Sequence, residues 1–132
     1  MDVKDIRIGD YMTTKSDCNN KVMYRVIELK EGCVSLEDIN DYNSFIIGIN
    51  DCDVVAVPVT DEWLRYIGAE YNATAIDYRL RVSDNITLSI RPTTGADNYV
   101  VSITERYKSP YKYFTYIHEL QHWLWDVLQI KF

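Results

Sequence analysis

The segment HELQH at positions 118–122 has the HExxH spacing of zinc hydrolases. Two histidines four residues apart on a helix lie on one face, where both can bind the same metal ion. The glutamate between them can then activate a metal-bound water for hydrolysis. This segment is the first candidate for chemistry in the chain.

A catalytic zinc site also requires a third protein ligand. In the extended metzincin pattern, Gly and His follow the second histidine by three and six residues, but here Trp125 and Leu128 occupy these places. The chain has two histidines in all. We therefore interpret the pattern as coincidental and expect no bound metal. A zinc-dependent hydrolase acting through His118, Glu119 and His122 remains an alternative.

A second candidate site lies in three segments in which polar and apolar residues alternate, as expected for half-buried strands. The apolar set comprises Tyr78, Leu80, Val82, Leu88, Ile90, Val101 and Ile103. The polar set comprises Arg79, Arg81, Ser89, Arg91, Ser102, Thr104 and Arg106, and we call this face the arginine face. Guanidinium groups suit phosphates and tyrosine rings can stack on bases, so Arg79, Arg81, Arg91 and Arg106 are candidate ligands for a small anionic or nucleotide-like molecule.

The alternative explanation of the arginine face is a solvated surface on which the arginines pair with nearby carboxylates. Ligand binding requires several of these positive charges to converge on one patch. Arginines that are scattered, or each locked to a carboxylate, would instead favour a function as a protein–protein adaptor.

The adaptor hypothesis comes from the uneven distribution of charge. The net charge is −6, and residues 31–64 contain eight acidic residues without a Lys or Arg, whereas residues 65–112 contain seven basic and five acidic residues. This acidic half could engage a basic surface of a host protein, or it could simply aid solubility. Self-association through Tyr and Trp side chains, giving a homo-oligomer, is the other form of the hypothesis. Binding to duplex nucleic acid is not expected, since it requires a field of Lys and Arg.

Composition also bears on compartment and on enzyme class. The first residues are polar, no apolar run is long enough for a membrane helix, and Cys18, Cys33 and Cys52 are widely spaced. These features indicate a cytoplasmic protein with reduced thiols and no membrane partner. The chain has no P-loop, dinucleotide fingerprint or G-x-S-x-G motif. We therefore expect a non-enzyme without a cofactor.

The first half of the chain is expected to contain five short strands, in the segments IRIGDYM, KVMYRVIELK, CVSLED, SFIIGI and VVAVPV. They are separated by turn residues such as those at positions 30–32 and 50–53. This spacing predicts either a small, strongly bent sheet or an SH3-like barrel.

The second half is expected to begin with a short helix in TDEWLRYIG, capped by Thr60 and ended at Gly68. Three strands and a last helix then follow, with Ser109 and Pro110 at the start of that helix. Its predicted apolar stripe, which would cover the three-stranded sheet, consists of Tyr113, Ile117, Leu120, Leu124 and Leu128. The predicted fold is thus α+β in a single domain, 1–132, with a β-rich lobe (1–59) and an αβββα lobe (60–132).

Three stretches of the chain, VVAVPVTDEWLRYIG, IRIGDYM and YIHELQHWLWDVLQI, resemble a family of small uncharacterised proteins of Bacteroides-type genomes, prophages and phages. In that family the place of His122 holds Asn, so the resemblance implies that the HExxH letters arose by drift. It also implies that Trp63, Leu64, Leu120 and Gln121 stabilise the fold. The family implies no reaction. It suggests a phage or mobile-element accessory protein, with an anti-defence role that sequesters a ligand as one hypothesis.

Overall fold

The computed structural model describes residues 6–17, 22–93, 98–104 and 110–131. The chain divides into two units, Met1–Val57 and Pro58–Phe132. Each unit contains one five-stranded antiparallel sheet.

The first sheet occupies the first unit. Its strands are β1 (Tyr11–Thr14), β2 (Tyr24–Lys30), β3 (Cys33–Asp38), β4 (Asp41–Asn50) and β5 (Val54–Ala56). The order is β4-β3-β2-β1-β5, so β4 and β5 lie at the two edges. The sequence left open a bent sheet or a small barrel, and the described pairings form a five-stranded sheet. A short 3-10 turn, Asp51–Asp53, precedes β5, and the side chain of Asn50 caps it.

One side of the first sheet faces a core of fully or nearly fully buried side chains, among them Met12, Val26 and Leu36. Ile46 and Ile49 of β4 both pack against this core although they are three residues apart. Strict alternation would put them on opposite faces. The register between β3 and β4 shifts at this point, and Gly48 has a φ of +66°. A bulge at Gly48 thus returns Ile49 to the inner face.

The second unit begins with the short helix α1 (Asp61–Tyr66). Thr60 caps it by accepting a hydrogen bond from the backbone N–H of Trp63 at 3.2 Å. Gly68, with a φ of +103°, ends it as expected, because this left-handed conformation favours glycine. Trp63 and Leu64 form its buried side.

The second sheet follows α1. Its strands are β6 (Glu70–Asn72), β7 (Asp77–Arg81), β8 (Thr87–Pro92), β9 (Tyr99–Ile103) and β10 (Tyr111–Phe114), in the order β10-β9-β8-β7-β6. The apolar face is buried as the alternation predicted: Leu88, Ile90 and Val101 have no exposed surface. Thr93 and Asn98 close the β8–β9 hairpin through the bond from Thr93 N–H to the Asn98 carbonyl, 3.0 Å long.

The last helix, α2 (Ile117–Trp123), continues as a π-helical segment, Leu124–Leu128. Gln129 ends the helix in the left-handed conformation, with a φ of +58°. Leu120 and Leu124 are fully buried, in agreement with their expected place on the apolar stripe.

The predicted α+β fold with a three-stranded sheet is wrong. The described chain is mostly β, with two five-stranded sheets and one C-terminal helix besides the short α1. The second sheet gains the short edge strands β6 and β10. The predicted helix start at Ser109 and Pro110 is replaced by β10, and α2 begins only at Ile117. Tyr113, expected on the buried helical stripe, lies in β10 with 56% of its surface exposed.

The physical reason is that β10 is formed by cross-strand pairing with β9. Tyr111–Phe114 pairs antiparallel with β9, Tyr111 opposite Ser102 and Phe114 opposite Tyr99. Aromatic residues favour such a pleated surface. A Ser-Pro pair is a local helix-start signal, and the cross-strand contacts override it. Ser109 itself lies outside the described residues.

Two further sequence features have structural counterparts. Cys33 and Cys52 are free thiols, whereas Cys18 lies outside the described residues. In the part of the chain that the structure describes, no helix combines the length and the apolarity needed to cross a membrane.

Candidate functional site

The arginine face of the second sheet forms a flat array of polar side chains whose rows follow from the strand register. One row runs across all five strands, and its members in order are Glu70, Arg79, Ser89, Ser102 and Tyr111. Side chains directly opposite each other in a sheet lie on the same face. In a neighbouring row, Arg91 lies opposite Val100, and Val100 lies opposite Tyr113. Asn72 of β6 lies opposite Asp77. The face therefore has Glu70 and Asn72 at the β6 edge, arginines in the middle and two tyrosines at β10.

Asp77 is the centre of this face. Its side chain has no exposed surface, and the Nε of Arg79 lies 2.9 Å from Oδ1 and 3.1 Å from Oδ2. The hydroxyl of Ser89 donates a short hydrogen bond to Oδ2. The Nε of Arg91 lies 3.9 Å from the same oxygen. One buried carboxylate is thus shared by two guanidinium groups and one hydroxyl.

The charge state of Asp77 follows from a competition. Burial raises the pKa of this carboxyl. The hydrogen bonds from Arg79 and Ser89 and the positive charges of Arg79 and Arg91 lower it, and together they outweigh burial. The pKa of Asp77 therefore lies below its usual range, and the group is a carboxylate at neutral pH. A carboxylate with a lowered pKa is a weaker base than a free one.

The four predicted arginines have three different outcomes. Arg79 and Arg91 are brought together at Asp77. Arg81 lies at the end of β7 and bonds instead to the turn that follows, with its Nη2 3.3 Å from the carbonyl oxygen of Asp84 and 3.6 Å from its carboxylate. Arg106 lies outside the described residues.

The two central arginines differ in how firmly they are held. Arg79 is 32% exposed and bonded to both oxygens of Asp77, so it meets the condition of being locked to a carboxylate. Arg91 is 57% exposed, and the nearest described carboxylate, 3.9 Å away, is already bonded to Arg79 and Ser89. Both arginines approach Asp77 through Nε, and among the described residues their Nη atoms make no hydrogen bond. Two positive charges facing one negative charge leave a net charge of about +1 at the centre of the face.

Two exposed tyrosines complete the face at its β10 edge. Tyr111 is 65% exposed and Tyr113 56% exposed. Their rings meet edge to face with centroids 5.9 Å apart. Tyr113 is two strands away from Arg91, which corresponds to about 10 Å at the usual strand spacing. An aromatic surface and a cationic group therefore lie on one face at the scale of a nucleotide.

The candidate residues predicted from the sequence did not include Asp77, to which Arg79 and Arg91 both lie close. A signal for it existed, because Asp77 is two residues before Arg79 and alternation puts both on the same face. Asp77 is completely buried, and the burial of an acidic residue on a polar face is not visible in the sequence.

The HELQH segment has a structural role for its glutamate. Glu119 Oε1 accepts hydrogen bonds from the backbone N–H groups of Tyr116 at 2.9 Å and Thr115 at 3.1 Å, which caps the start of α2. His118 is buried, its ring stacks with Tyr116 (centroids 5.9 Å apart), and it meets the His122 ring edge to face at 5.4 Å. Among the described residues, no group of three or more His, Cys, Asp or Glu side chains is placed to hold a metal ion. The glutamate that would activate water is thus engaged as a helix cap.

Comparison with known proteins yields no relative. No protein-family model matches this chain, no curated protein shows significant sequence similarity to it, and no solved structure matches its fold.

Proposed function

We propose that this chain is a non-enzymatic, cytoplasmic binding protein that captures a small anionic, nucleotide-like ligand on its arginine face. The observation that carries the proposal is the buried Asp77, which bonds the Nε of Arg79 and lies 3.9 Å from the Nε of Arg91. A guanidinium bonded through Nε, as that of Arg79 is, keeps its Nη atoms for a ligand with little further loss of conformational freedom. Such an edge is suited to the oxygens of a phosphate.

The proposed contacts divide the ligand into two parts. Arg91, together with the Nη atoms of Arg79, binds the phosphate, because one carboxylate cannot neutralise both arginines. Tyr111 and Tyr113 offer aromatic surfaces for a base. Arg81 contributes little, since its guanidinium bonds to the turn at Asp84.

The biological role rests on the sequence resemblance. Small proteins of phages and mobile elements act inside a host cell, where a protein that sequesters a nucleotide-like ligand can interfere with a defence response. We therefore propose an accessory, anti-defence role for this chain, with the ligand held and released unchanged.

A thermal-shift screen against mono-, di- and cyclic nucleotides tests the proposal. A ligand at about 100 times its dissociation constant adds roughly 2.7 kcal/mol to the free energy of unfolding, which is a readily measured shift. We expect at least one nucleotide to stabilise the protein and the shift to shrink as salt is raised. Arg91→Ala should abolish the shift while the unliganded protein stays folded, because Arg91 is more than half exposed.

Arg81→Ala provides the matched control. Arg81 and Arg91 are both exposed arginines at strand ends on the same face, but only Arg91 approaches Asp77. The ligand-induced shift should survive in Arg81→Ala. Stabilisation by none of the nucleotides, or equal loss of the shift in both variants, would contradict the proposal.

A second candidate function, the protein–protein adaptor, is favoured by a separate observation. The acidic first unit exposes three large apolar side chains on one side of its sheet: Ile27, Phe45 and Ile47. Apolar side chains within an acidic surface suit a basic protein partner, whether of the host or of the same mobile element.

A further inference from the structure

The outer side of the first sheet, opposite its core, carries an exposed apolar patch. We define the apolar patch as Ile27 of β2 with Phe45 and Ile47 of β4, which are 42%, 55% and 75% exposed. Val26, which precedes Ile27, and Ile46, which lies between Phe45 and Ile47, pack on the core side. Alternation along the strands therefore turns the three patch residues outward.

The patch residues lie on β2 and β4, the two strands that flank β3 in the sheet. Phe45 lies opposite Glu37 of β3, and Glu37 lies opposite Arg25 of β2. Ser35 of β3 lies in the adjoining row, between β2 and β4. The β2–β3 register shifts beside it at Ile27, and the β3–β4 register shifts at Ile47 and Gly48. The patch thus has its apolar residues on two strands, with Ser35 and Glu37 of β3 between them.

Ser35 of β3 lies between the two strands that carry the apolar patch. Ser35 is only 6% exposed, and its Oγ accepts a hydrogen bond from the backbone N–H of Gly48 at 3.1 Å. Ser35 therefore adds no free hydroxyl between the apolar side chains. Large exposed apolar groups that are rimmed by polar residues commonly mark interaction surfaces.

The charges around the patch are predominantly negative. Residues 22–57 contain seven acidic residues and two basic ones. Both basic residues are already paired: Lys30 Nζ lies 3.0 Å from Glu28, and Arg25 Nη1 lies 4.0 Å from Glu37. The remaining acidic residues stand in the turns at the two ends of the β3–β4 hairpin, namely Glu31, Asp38, Asp41, Asp51 and Asp53.

We propose that the apolar patch is a docking surface for a basic protein segment, one that presents apolar side chains flanked by Lys or Arg. The apolar side chains would cover Ile27, Phe45 and Ile47, and the flanking cations would meet the acidic turns. A second copy of this chain is a poorer occupant, because it would bring two acidic borders together. This docking surface rests on the adaptor function proposed for the first unit, and it is independent of the ligand proposed for the arginine face.

Three synthetic peptides provide the probe. The first alternates leucine and lysine, the second replaces every lysine by glutamate, and the third replaces every leucine by serine. Binding to the full-length protein is followed by fluorescence anisotropy and by ¹H–¹⁵N chemical-shift changes. We expect the leucine–lysine peptide to bind best, with shifts concentrated at Phe45 and Ile47 and an affinity that falls with salt.

The variant Phe45→Ser/Ile47→Ser should weaken binding of the leucine–lysine peptide by about tenfold or more. Its unfolding curve should coincide with that of the original protein, since both side chains are more than half exposed. Ile76→Ser is the matched control, because Ile76 is 66% exposed but lies in the second unit. Should the double variant fold poorly, Ile47→Lys adds a positive charge within the patch and should weaken binding in the same direction.

Several outcomes would overturn the proposal. These are binding of the glutamate peptide as tightly as the lysine peptide, chemical-shift changes confined to the second unit, and equal weakening in Ile76→Ser. Sedimentation equilibrium tests the remaining occupant. A dimer of the original protein that dissociates in Phe45→Ser/Ile47→Ser would show that the surface binds a second copy, in place of a basic partner.

Discussion

Arg79 donates its Nε–H to both carboxylate oxygens of Asp77, which is completely buried two residues earlier on the same strand. Ser89 on the neighbouring strand donates to the same carboxylate. The two residues are close in the chain, but Asp77 is buried only when the sheet forms. The contribution of the ion pair to stability therefore depends on the folded sheet.

Asp77→Asn should destabilise the protein by about 1–3 kcal/mol, as measured by urea unfolding at neutral pH. Loss of one partner of a fully buried ion pair costs about 3–5 kcal/mol, but Arg79 is 32% exposed and water compensates part of the loss. Asp84→Asn is the control. It removes the fully exposed carboxylate near Arg81, and the unfolding curve of this variant should match that of the original protein. Equal curves for Asp77→Asn and the original protein would show that the buried pair is not stabilising.

The stability should also depend on pH through Asp77. Its folded-state pKa is lower than its unfolded value of about 3.9. A lowered folded-state pKa contributes stability that is fully present above the unfolded pKa and is lost as pH falls through the folded one. The difference in unfolding free energy between the original protein and Asp77→Asn should therefore be constant from pH 7 to about pH 5 and shrink below about pH 4. A difference that grows on acidification would contradict the assigned sign.

The last helix should contribute to stability through its apolar stripe. Leu124→Ala should cost about 2–5 kcal/mol, because Leu124 has no exposed surface. His122→Asn, at a partly exposed position, should cost far less. Chemical unfolding of both variants measures the contrast. The assignment of the buried side of α2 is incorrect if His122→Asn unfolds the protein while Leu124→Ala is harmless.

Glu119 should act as a helix cap. Glu119→Ala should lower the free energy of unfolding by about 1 kcal/mol, since two backbone N–H groups lose their acceptor. Glu119→Gln should retain most of the stability, because the amide oxygen can still accept these bonds. If both variants are as stable as the original protein, the side chain of Glu119 does not contribute to capping.

Zinc content separates the capping role from metal chemistry. Metal analysis of tag-free protein after dialysis should find far less than one zinc per chain, because the described residues contain no group of three ligands. Stoichiometric zinc that is lost in His118→Ala would reverse this interpretation and restore the hydrolase alternative.

Features that depend on near neighbours in the chain were predictable. Thr60 caps α1 and Gly68 ends it, and both effects act within a few residues. The alternation of Leu88 and Ile90 with Ser89 and Arg91 identified which residues are buried, because the side-chain direction in a strand repeats every two residues.

Features that depend on pairing between strands were not predicted, even where the two strands are close in the chain. Tyr111–Phe114 follows a helix-start signal, yet it forms β10 because β9 offers it a ladder of backbone partners. Glu70–Asn72 is too short to show periodicity and becomes β6 by pairing with β7. Both errors removed an edge strand, so the fold class was predicted as α+β where the structure has two five-stranded sheets.

The sequence by itself determined the composition of the arginine face, since alternation places Arg79 and Arg91 on the same side of adjacent strands. Only the tertiary structure decided which arginines act together. Arg79 and Arg91 converge because the β7–β8 register brings them to one buried carboxylate, whereas Arg81 reaches the end of its strand and bonds to a turn. Burial of a charge depends on every strand around it, and no local pattern of residues encodes that environment.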